Sequence, residues 1–211
     1  MMVKSKLIIF TLLVTSWILG CSETSSGPST SSVIMPLAVG KEWVTKTTYY
    51  DSTGKSFDSR IDTLTMVSTK IIDSTTYYLN QFGQGYTNKS DGLWLAYWVS
   101  DRFPFVPYPV SIGLPMVRDT ISLQGPNISD FIYAILTVES TNSPVTVAAG
   151  KFSCYKNHFR YYLLSDNSLY FEEFHYYSPN VGMIKKEQYV MDGTLAFFRI
   201  MSEELTSMVL K

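Results

Sequence analysis

Cysteine and histidine are scarce in this sequence of 211 residues, which holds two of each: Cys21, Cys154, His158 and His175. Charge is also low, since Asp, Glu, Lys and Arg together make up 17% of the chain, against about 25% in an average soluble domain. The formal net charge is -1. A chain without an excess of basic residues lacks the patch that a phosphate backbone requires, so we expect no nucleic-acid partner.

Catalytic signatures are missing as well. The sequence has no G-x-S-x-G, no H-E-x-x-H, no phosphate loop and no dinucleotide fingerprint. The acidic pairs Glu172–Glu173 and Glu203–Glu204 fall in stretches typical of strands, where adjacent side chains point to opposite faces. Neither pair can therefore act as a carboxylate dyad. We expect no enzymatic activity, no catalytic residue, no cofactor and no metal.

The chain also lacks an apolar stretch long enough to cross a membrane, which takes about 20 residues. Its apolar stretch covers residues 7–19, after a start that carries Lys4 and Lys6 and before Gly20 and Cys21. A basic start, a short apolar core and a small residue at the end are typical of a secretory signal. We expect residues 1–20 to be a signal peptide.

The segment Ile18-Leu19-Gly20-Cys21 resembles the lipobox of bacterial lipoproteins. In that family a dedicated peptidase cuts before the cysteine, whose sulfur carries a diacylglyceryl group. The resemblance implies that Cys21 is the lipid attachment site and that the protein is anchored to a membrane of the cell envelope. The residues after Cys21 leave the inner and the outer membrane open, and of the two we expect the outer membrane, on its periplasmic side. Polar residues 21–32 would then be a flexible tether. The alternative is an ordinary signal peptide followed by an incidental cysteine.

Residues 33–211 are expected to form one antiparallel β domain. Strand-forming aromatics are abundant, with 15 Tyr and 12 Phe. Alternating stretches are separated by turn signals at residues 51–55, 73–74, 91–92, 141–144, 165–168 and 192–193. This pattern predicts an all-β fold built on a single large curved antiparallel sheet, a half-barrel or open barrel. A short helix is predicted only near Pro126–Ile132.

The segment Phe103–Val110 breaks the strand pattern because it is apolar and holds three prolines. Proline is excluded from central strands, so the segment is predicted to be a loop. It has two interpretations. Its apolar side chains could pack as a plug over one end of the sheet, or they could form a lid or contact surface for an apolar ligand or partner.

The two histidines lie in predicted strands joined by the turn at residues 165–168. If these strands are neighbours, His158 and His175 could approach each other, and Glu173 could complete a metal-binding set for a cryptic metal-dependent hydrolase. The alternative is a pair of polar residues facing solvent. With Cys21 lipidated, Cys154 has no disulfide partner, and we expect it to be a buried small apolar residue rather than a nucleophile.

Three segments resemble secreted β domains common in Bacteroidetes, namely Pro36–Trp43, Ala148–Lys156 and Tyr176–Lys185. They match the patterns P-L-x-V-G-x-x-W, A-G-x-F and Y-Y-S/A-P-x-V-G-x-I/V-K. These domains look related to the LolA/LppX-type half-barrel, whose understood members bind lipids or lipoprotein acyl chains. The resemblance implies a curved sheet over a hydrophobic cavity, with Trp43 anchored in the core.

Two functional hypotheses follow for a membrane-anchored, non-enzymatic lipoprotein. In the first, the concave face of the sheet binds an apolar ligand or lipid. In the second, the sheet is filled by its own side chains and serves a structural or protein-interaction role with an unidentified partner. A continuous cavity would favour the first hypothesis, and a packed interior would favour the second.

Overall fold

The structure, a computed structural model, describes residues 33–97, 101–109, 111–113, 115–117, 121–125, 128–191 and 197–209. The predicted signal peptide, the Cys21 lipid site and the whole predicted tether lie outside these ranges and stay predictions. Within these ranges no residue is helical. The part of the chain that is described therefore has no helix that could span a membrane.

The all-β prediction is confirmed. The described residues form thirteen strands: β1 Glu42–Tyr50, β2 Ser56–Ile72, β3 Thr75–Asn80, β4 Gly85–Lys89, β5 Gly92–Tyr97, β6 Asp101–Pro107, β7 Pro115–Val117, β8 Ile121–Gly125, β9 Ile128–Val147, β10 Gly150–Leu163, β11 Leu169–Ser178, β12 Gly182–Met191 and β13 Phe197–Val209. Every pairing recorded between them is antiparallel.

These strands belong to one sheet with the order β6-β5-β4-β3-β2-β1-β13-β12-β11-β10-β9-β7, and β8 also pairs with β9. Strands β1 to β6 form one meander and β9 to β13 form another. The pairing of β1 with β13 joins the two meanders. The sheet is not closed, because β6 and β7 stand at opposite ends of the order.

The sheet is strongly curled. The ring of Phe105 in β6 lies 6.4 Å from the ring of Tyr177 in β11, and Tyr108 lies 5.0 Å from Tyr155 in β10. In a flat sheet, the eight strand spacings between β6 and β11 would separate them by about 38 Å. The face that carries these four rings is therefore concave, as the half-barrel prediction requires.

Local turn chemistry accounts for the hairpins. At the β2–β3 turn, Asp73 and Ser74 both have positive φ, 46° and 63°, as a two-residue type I′ turn requires. The predicted turns at 51–55, 91–92 and 165–168 also lie where consecutive strands meet and pair with each other. These pairs are β1 with β2, β4 with β5, and β10 with β11. The turn predicted at 192–193 lies outside the described residues.

Two breaks predicted in β9 are wrong. Instead of a helix near Pro126–Ile132, residues 128–132 are strand, because they pair with β8 in a tight hairpin; residues 126 and 127 lie outside the described part. Instead of a turn at 141–144, β9 continues through these residues, and Pro144 pairs with Ser153. Among the described strands only β10 pairs with this part of β9, so Pro144 sits on an edge, where proline is tolerated.

The proline-rich segment Phe103–Val110 is likewise not a loop throughout. Its residues up to Pro107 belong to β6, the last strand at one end of the sheet, and an edge strand can accept prolines. Val106 and Tyr108 are buried in the main core cluster together with Trp43, Cys154 and Tyr177, so these two side chains pack inward as the plug interpretation expects, while Phe105 is only partly buried. Val110 lies outside the described residues.

Candidate functional site

A row of polar residues crosses six neighbouring strands on the concave face. Each member is the direct cross-strand partner of the next. We assign the row to the concave face because His175 lies two residues before Tyr177 on β11. Alternate residues of a strand point to the same face, and Tyr177 faces the concave side. We call this set the polar row; it consists of Arg60, Thr47, Glu203, Lys186, His175 and Asn157.

Apolar side chains from β1, β11 and β12, and from β5 and β6, also face the concave side of the sheet. Trp43 lies on β1 four residues before Thr47, a separation of about 13 Å along a strand. Its indole is 3% exposed, and its Nε1 donates a 2.7 Å hydrogen bond to the carbonyl oxygen of Val181. We call this set the apolar wall; it consists of Trp43, Leu93, Phe105, Tyr177 and Met183.

A cavity of about 600 Å³ lies over the concave face. Its lining includes the whole apolar wall together with Arg60, Thr47, Glu203, Lys186 and His175 of the polar row. This volume is within the range of about 300–1,000 Å³ that is usual for small-molecule sites. The lining of the cavity is therefore partly apolar and partly polar, and not the hydrophobic space that the family resemblance implies.

Glu173 lies on the same face and anchors the polar row. Its Oε1 is 2.9 Å from Nζ of Lys186, and its Oε2 is 2.9 Å from Nε2 of His175 and accepts a hydrogen bond of 3.2 Å from the hydroxyl of Tyr161. Burial alone would raise the pKa of Glu173, but the hydrogen bond and charge of His175 and the ammonium of Lys186 lower it to about 2. Glu173 is therefore ionised at neutral pH, and both of its carboxylate oxygens have hydrogen-bond or ion-pair partners.

The opposite end of the polar row is held by Asp62 and Thr45. Oδ2 of Asp62 accepts hydrogen bonds from Oγ1 of Thr47 at 3.0 Å and from Nε of Arg60 at 2.8 Å. Oε1 of Glu203 accepts a hydrogen bond of 2.9 Å from Oγ1 of Thr45. These contacts fix the orientations of three polar side chains over the floor of the cavity.

The two histidines do not form the metal-binding set of a metal-dependent hydrolase. Strands β10 and β11 are neighbours, as expected, but His158 pairs with Phe174 while His175 pairs with Asn157. Because Phe174 and His175 are adjacent on one strand, the two imidazoles lie on opposite faces of the sheet. The described residues contain no group of three His, Cys, Asp or Glu side chains that could hold a metal ion.

His158 belongs to a network on the convex face. Its Nδ1 lies 2.8 Å from Glu139 and its Nε2 lies 2.6 Å from Glu172, while the ring stacks on Phe174 at 4.3 Å. Lys156 adds an ion pair of 2.6 Å with Glu139. Both ring nitrogens therefore face a carboxylate oxygen. His158 is thus held by partners and is not simply a solvent-facing residue.

Two further expectations concern single residues. Glu172 bonds His158 on the convex face while Glu173 bonds His175 on the concave face, so this acidic pair is divided between the faces as predicted. Cys154 is free and fully buried, which confirms its packing role. Burial raises the pKa of its thiol to about 12, so the thiol stays protonated at neutral pH.

Comparison with known proteins adds a partial family match. Residues 135–197 match a family model described as DUF3108-like, a segment that covers β10, β11, β12 and part of β9 and less than a third of the chain. No curated protein matches the sequence significantly.

Two solved structures resemble the chain distantly. One is a protein of Bacteroides fragilis described as exported and as having a YmcC-like fold, with 12% identity and a TM-score of 0.46 over 84% of this chain and 99% of that chain. The other is described as a lipoprotein of Parabacteroides distasonis, with 15% identity and a TM-score of 0.43 over 84% of this chain and 98% of that chain. Neither likeness is close enough to carry a functional argument.

Proposed function

We propose that this protein is a non-enzymatic lipoprotein of the cell envelope that binds an amphipathic small molecule in its concave cavity. Lipid on Cys21 would hold the domain close to the membrane, on the periplasmic side of the outer membrane. The cavity of about 600 Å³ over the concave face carries the proposal. It favours ligand binding over the alternative of a sheet filled by its own side chains.

The mixed lining of the cavity selects the kind of ligand. Between Trp43 in the apolar wall and Thr47 in the polar row, β1 spans about 13 Å. A molecule with an apolar body and a polar end could satisfy both, since each buried methylene contributes about 0.8 kcal/mol while polar groups need hydrogen-bonding partners when buried. The proposed ligand is therefore amphipathic, which refines the apolar ligand expected from the sequence.

Two carboxylates at the site are held by neighbouring side chains. Glu173 is engaged by Lys186, His175 and Tyr161, and Oδ2 of Asp62 is engaged by Arg60 and Thr47. These two carboxylates orient the side chains around them, which suits a preformed binding surface.

A cavity-filling variant tests the proposal. Met201 lines the cavity, so Met201→Trp would occupy space that a ligand needs, whereas Ile71→Trp changes a side chain that is 73% exposed and does not line the cavity. Both variants are made in the full chain carrying Cys21→Ser, which removes the attached lipid. Binding of the uncharged fluorophore N-phenylnaphthylamine is measured by titration, and folding is checked by thermal melting.

We expect folded Met201→Trp to bind the fluorophore at least tenfold more weakly than the Cys21→Ser parent, and Ile71→Trp to bind it as the parent does. The shared background cancels any binding to the leader. Equal binding by the parent and Met201→Trp, or no binding by the parent, would contradict the proposed function.

A further inference from the structure

We propose that the polar end of the ligand is a cation, an amine or quaternary ammonium group, and that Glu203 binds it. This inference rests on the proposed function of the cavity. It adds the chemical class of the head group and the residue that recognises it.

The charges around the cavity single out Glu203. Lys186 is neutralised by Glu173, with Nζ 2.9 Å from Oε1, and Arg60 is paired with Asp62 at 2.8 Å. Within the described residues, no cation lies within ion-pair distance of Glu203, whose only hydrogen bond comes from Thr45. The guanidinium of Arg60 interacts with Glu203 electrostatically, without a hydrogen bond or an ion pair between them.

The second carboxylate oxygen of Glu203 is available to the cavity. Only Oε1 is engaged by Thr45. The side chain lines the cavity and is half-buried, and Oε2 has no hydrogen bond or ion pair with any of the described residues. An acceptor of this kind binds an N–H donor or a cationic group.

The ion pairs around the cavity leave Glu203 as the carboxylate without a cationic partner among the described residues. Arg60 is paired with Asp62, and Lys186 and His175 both lie against Glu173. Attraction and repulsion between charges are stronger in a partly desolvated cavity than in bulk water. A cationic head group would give Glu203 the partner that it lacks, whereas a fatty-acid carboxylate would be repelled by it.

Strand pairing supplies a matched control. Glu203 and Glu204 are adjacent on β13 and therefore lie on opposite faces. Glu204 is paired with Lys185 at 3.4 Å on the convex face, outside the cavity lining. Glu203→Gln and Glu204→Gln thus remove the same charge at neighbouring positions, but only the first changes the cavity.

The test measures displacement of N-phenylnaphthylamine by dodecylamine, dodecanol and dodecanoate, all below their critical micelle concentrations, in the full chain carrying Cys21→Ser. We expect dodecylamine to compete at least tenfold better than dodecanoate. Glu203→Gln should remove most of that preference, while Glu204→Gln should leave it unchanged. The preference should also shrink as salt is added, because screening weakens the attraction.

The outcomes separate the inference from the proposed function. Equal competition by all three compounds, stronger competition by dodecanoate, or an unchanged preference in Glu203→Gln would overturn the cationic head group and leave ligand binding intact. If the fluorophore does not bind the parent chain, both proposals fail.

Discussion

The indole Nε1 of Trp43 donates its hydrogen bond to the carbonyl of Val181, and the next residue, Gly182, packs against the same indole. A β-carbon at Gly182 would lie 3.4 Å from this Nε1 and 3.1 Å from Cγ of Met35. Two of the segments that resemble secreted β domains therefore meet at this point. The glycine in the third segment is needed because the tryptophan of the first packs against it.

Substitution of this glycine is the first prediction. Gly182 has φ of 103°, so Gly182→Ala adds backbone strain to the close contacts with Met35 and Trp43. We expect it to lower the free energy of unfolding by about 2–3 kcal/mol. The control is Gly54→Ala, with φ of 80° and no atom within 4 Å of the new β-carbon, for which about 1 kcal/mol is expected. Equal losses in urea denaturation would show that the contacts with Met35 and Trp43 add nothing.

The pKa of Glu173 predicts how stability responds to acid. Its folded-state pKa of about 2 is below its ordinary value of 4.5, so the ionised form stabilises the fold. The contribution, about 3 kcal/mol, is fully present above pH 4.5 and is lost as the pH falls through about 2. Glu173→Gln should remove most of this pH dependence and destabilise the protein at neutral pH. Urea denaturation between pH 7 and pH 2.5 measures both effects.

Glu172→Gln is the control for that prediction, because the residue is adjacent to Glu173 and bonds His158 on the other face. We expect the variant to keep the loss of stability in acid that Glu173 causes. If Glu173→Gln and the wild type lose stability in parallel below pH 4.5, the assigned role of Glu173 is wrong.

Local sequence was sufficient to predict most of the strands and the facing of adjacent residues, but not the course of β6 and β9 and not the site. Turn chemistry such as that of Asp73 and Ser74 identifies hairpins because it acts within a few residues. The polar row requires correct register across six strands and joins Arg60 to Asn157, and no local signal fixes that register. A shift of one residue in the pairing of β10 with β11 would have placed His158 and His175 on the same face. The observed pairing of His158 with Phe174 places them on opposite faces. The course of β9 through Pro144 depended on an edge position that composition does not reveal.

Asn157 gives a prediction of increased stability. Its side chain is fully buried, and neither its Nδ2 nor its Oδ1 has a hydrogen-bond partner among the described residues. Burying such groups unpaired costs about 1–3 kcal/mol, so Asn157→Leu should raise the free energy of unfolding by about 1–2 kcal/mol. Urea denaturation of the ligand-free protein measures the change.

The matched control for Asn157 is Asn80. It is equally buried, at 1% exposure, but its Oδ1 accepts hydrogen bonds from the backbone N–H groups of Phe82 and Gln84. Asn80→Leu should therefore be destabilising. A comparable loss for Asn157→Leu would mean that Asn157 is hydrogen-bonded in solution.

The burial of Cys154 predicts an inert thiol. Its pKa of about 12, against an ordinary value of 9.0, leaves about a thousandfold less thiolate than an exposed cysteine near neutral pH. In the full chain carrying Cys21→Ser, where Cys154 is the sole thiol, iodoacetamide should react only when denaturant unfolds the domain. Fast alkylation of the native protein, followed by mass spectrometry, would contradict this prediction.

The lipid anchor is tested by Cys21→Ser with Cys154→Ser as the control. If the lipobox resemblance holds, the wild type and Cys154→Ser incorporate labelled palmitate in the bacterial host and are cleaved before Cys21. Cys21→Ser should incorporate none and remain uncleaved, because the lipoprotein peptidase acts on the modified cysteine. The size of the product also distinguishes the alternative. An ordinary signal peptide would still be removed from Cys21→Ser, which gives a mature chain of normal size, and palmitate would be absent from the wild type as well. Only the first pattern places the concave cavity within tether length of a membrane surface.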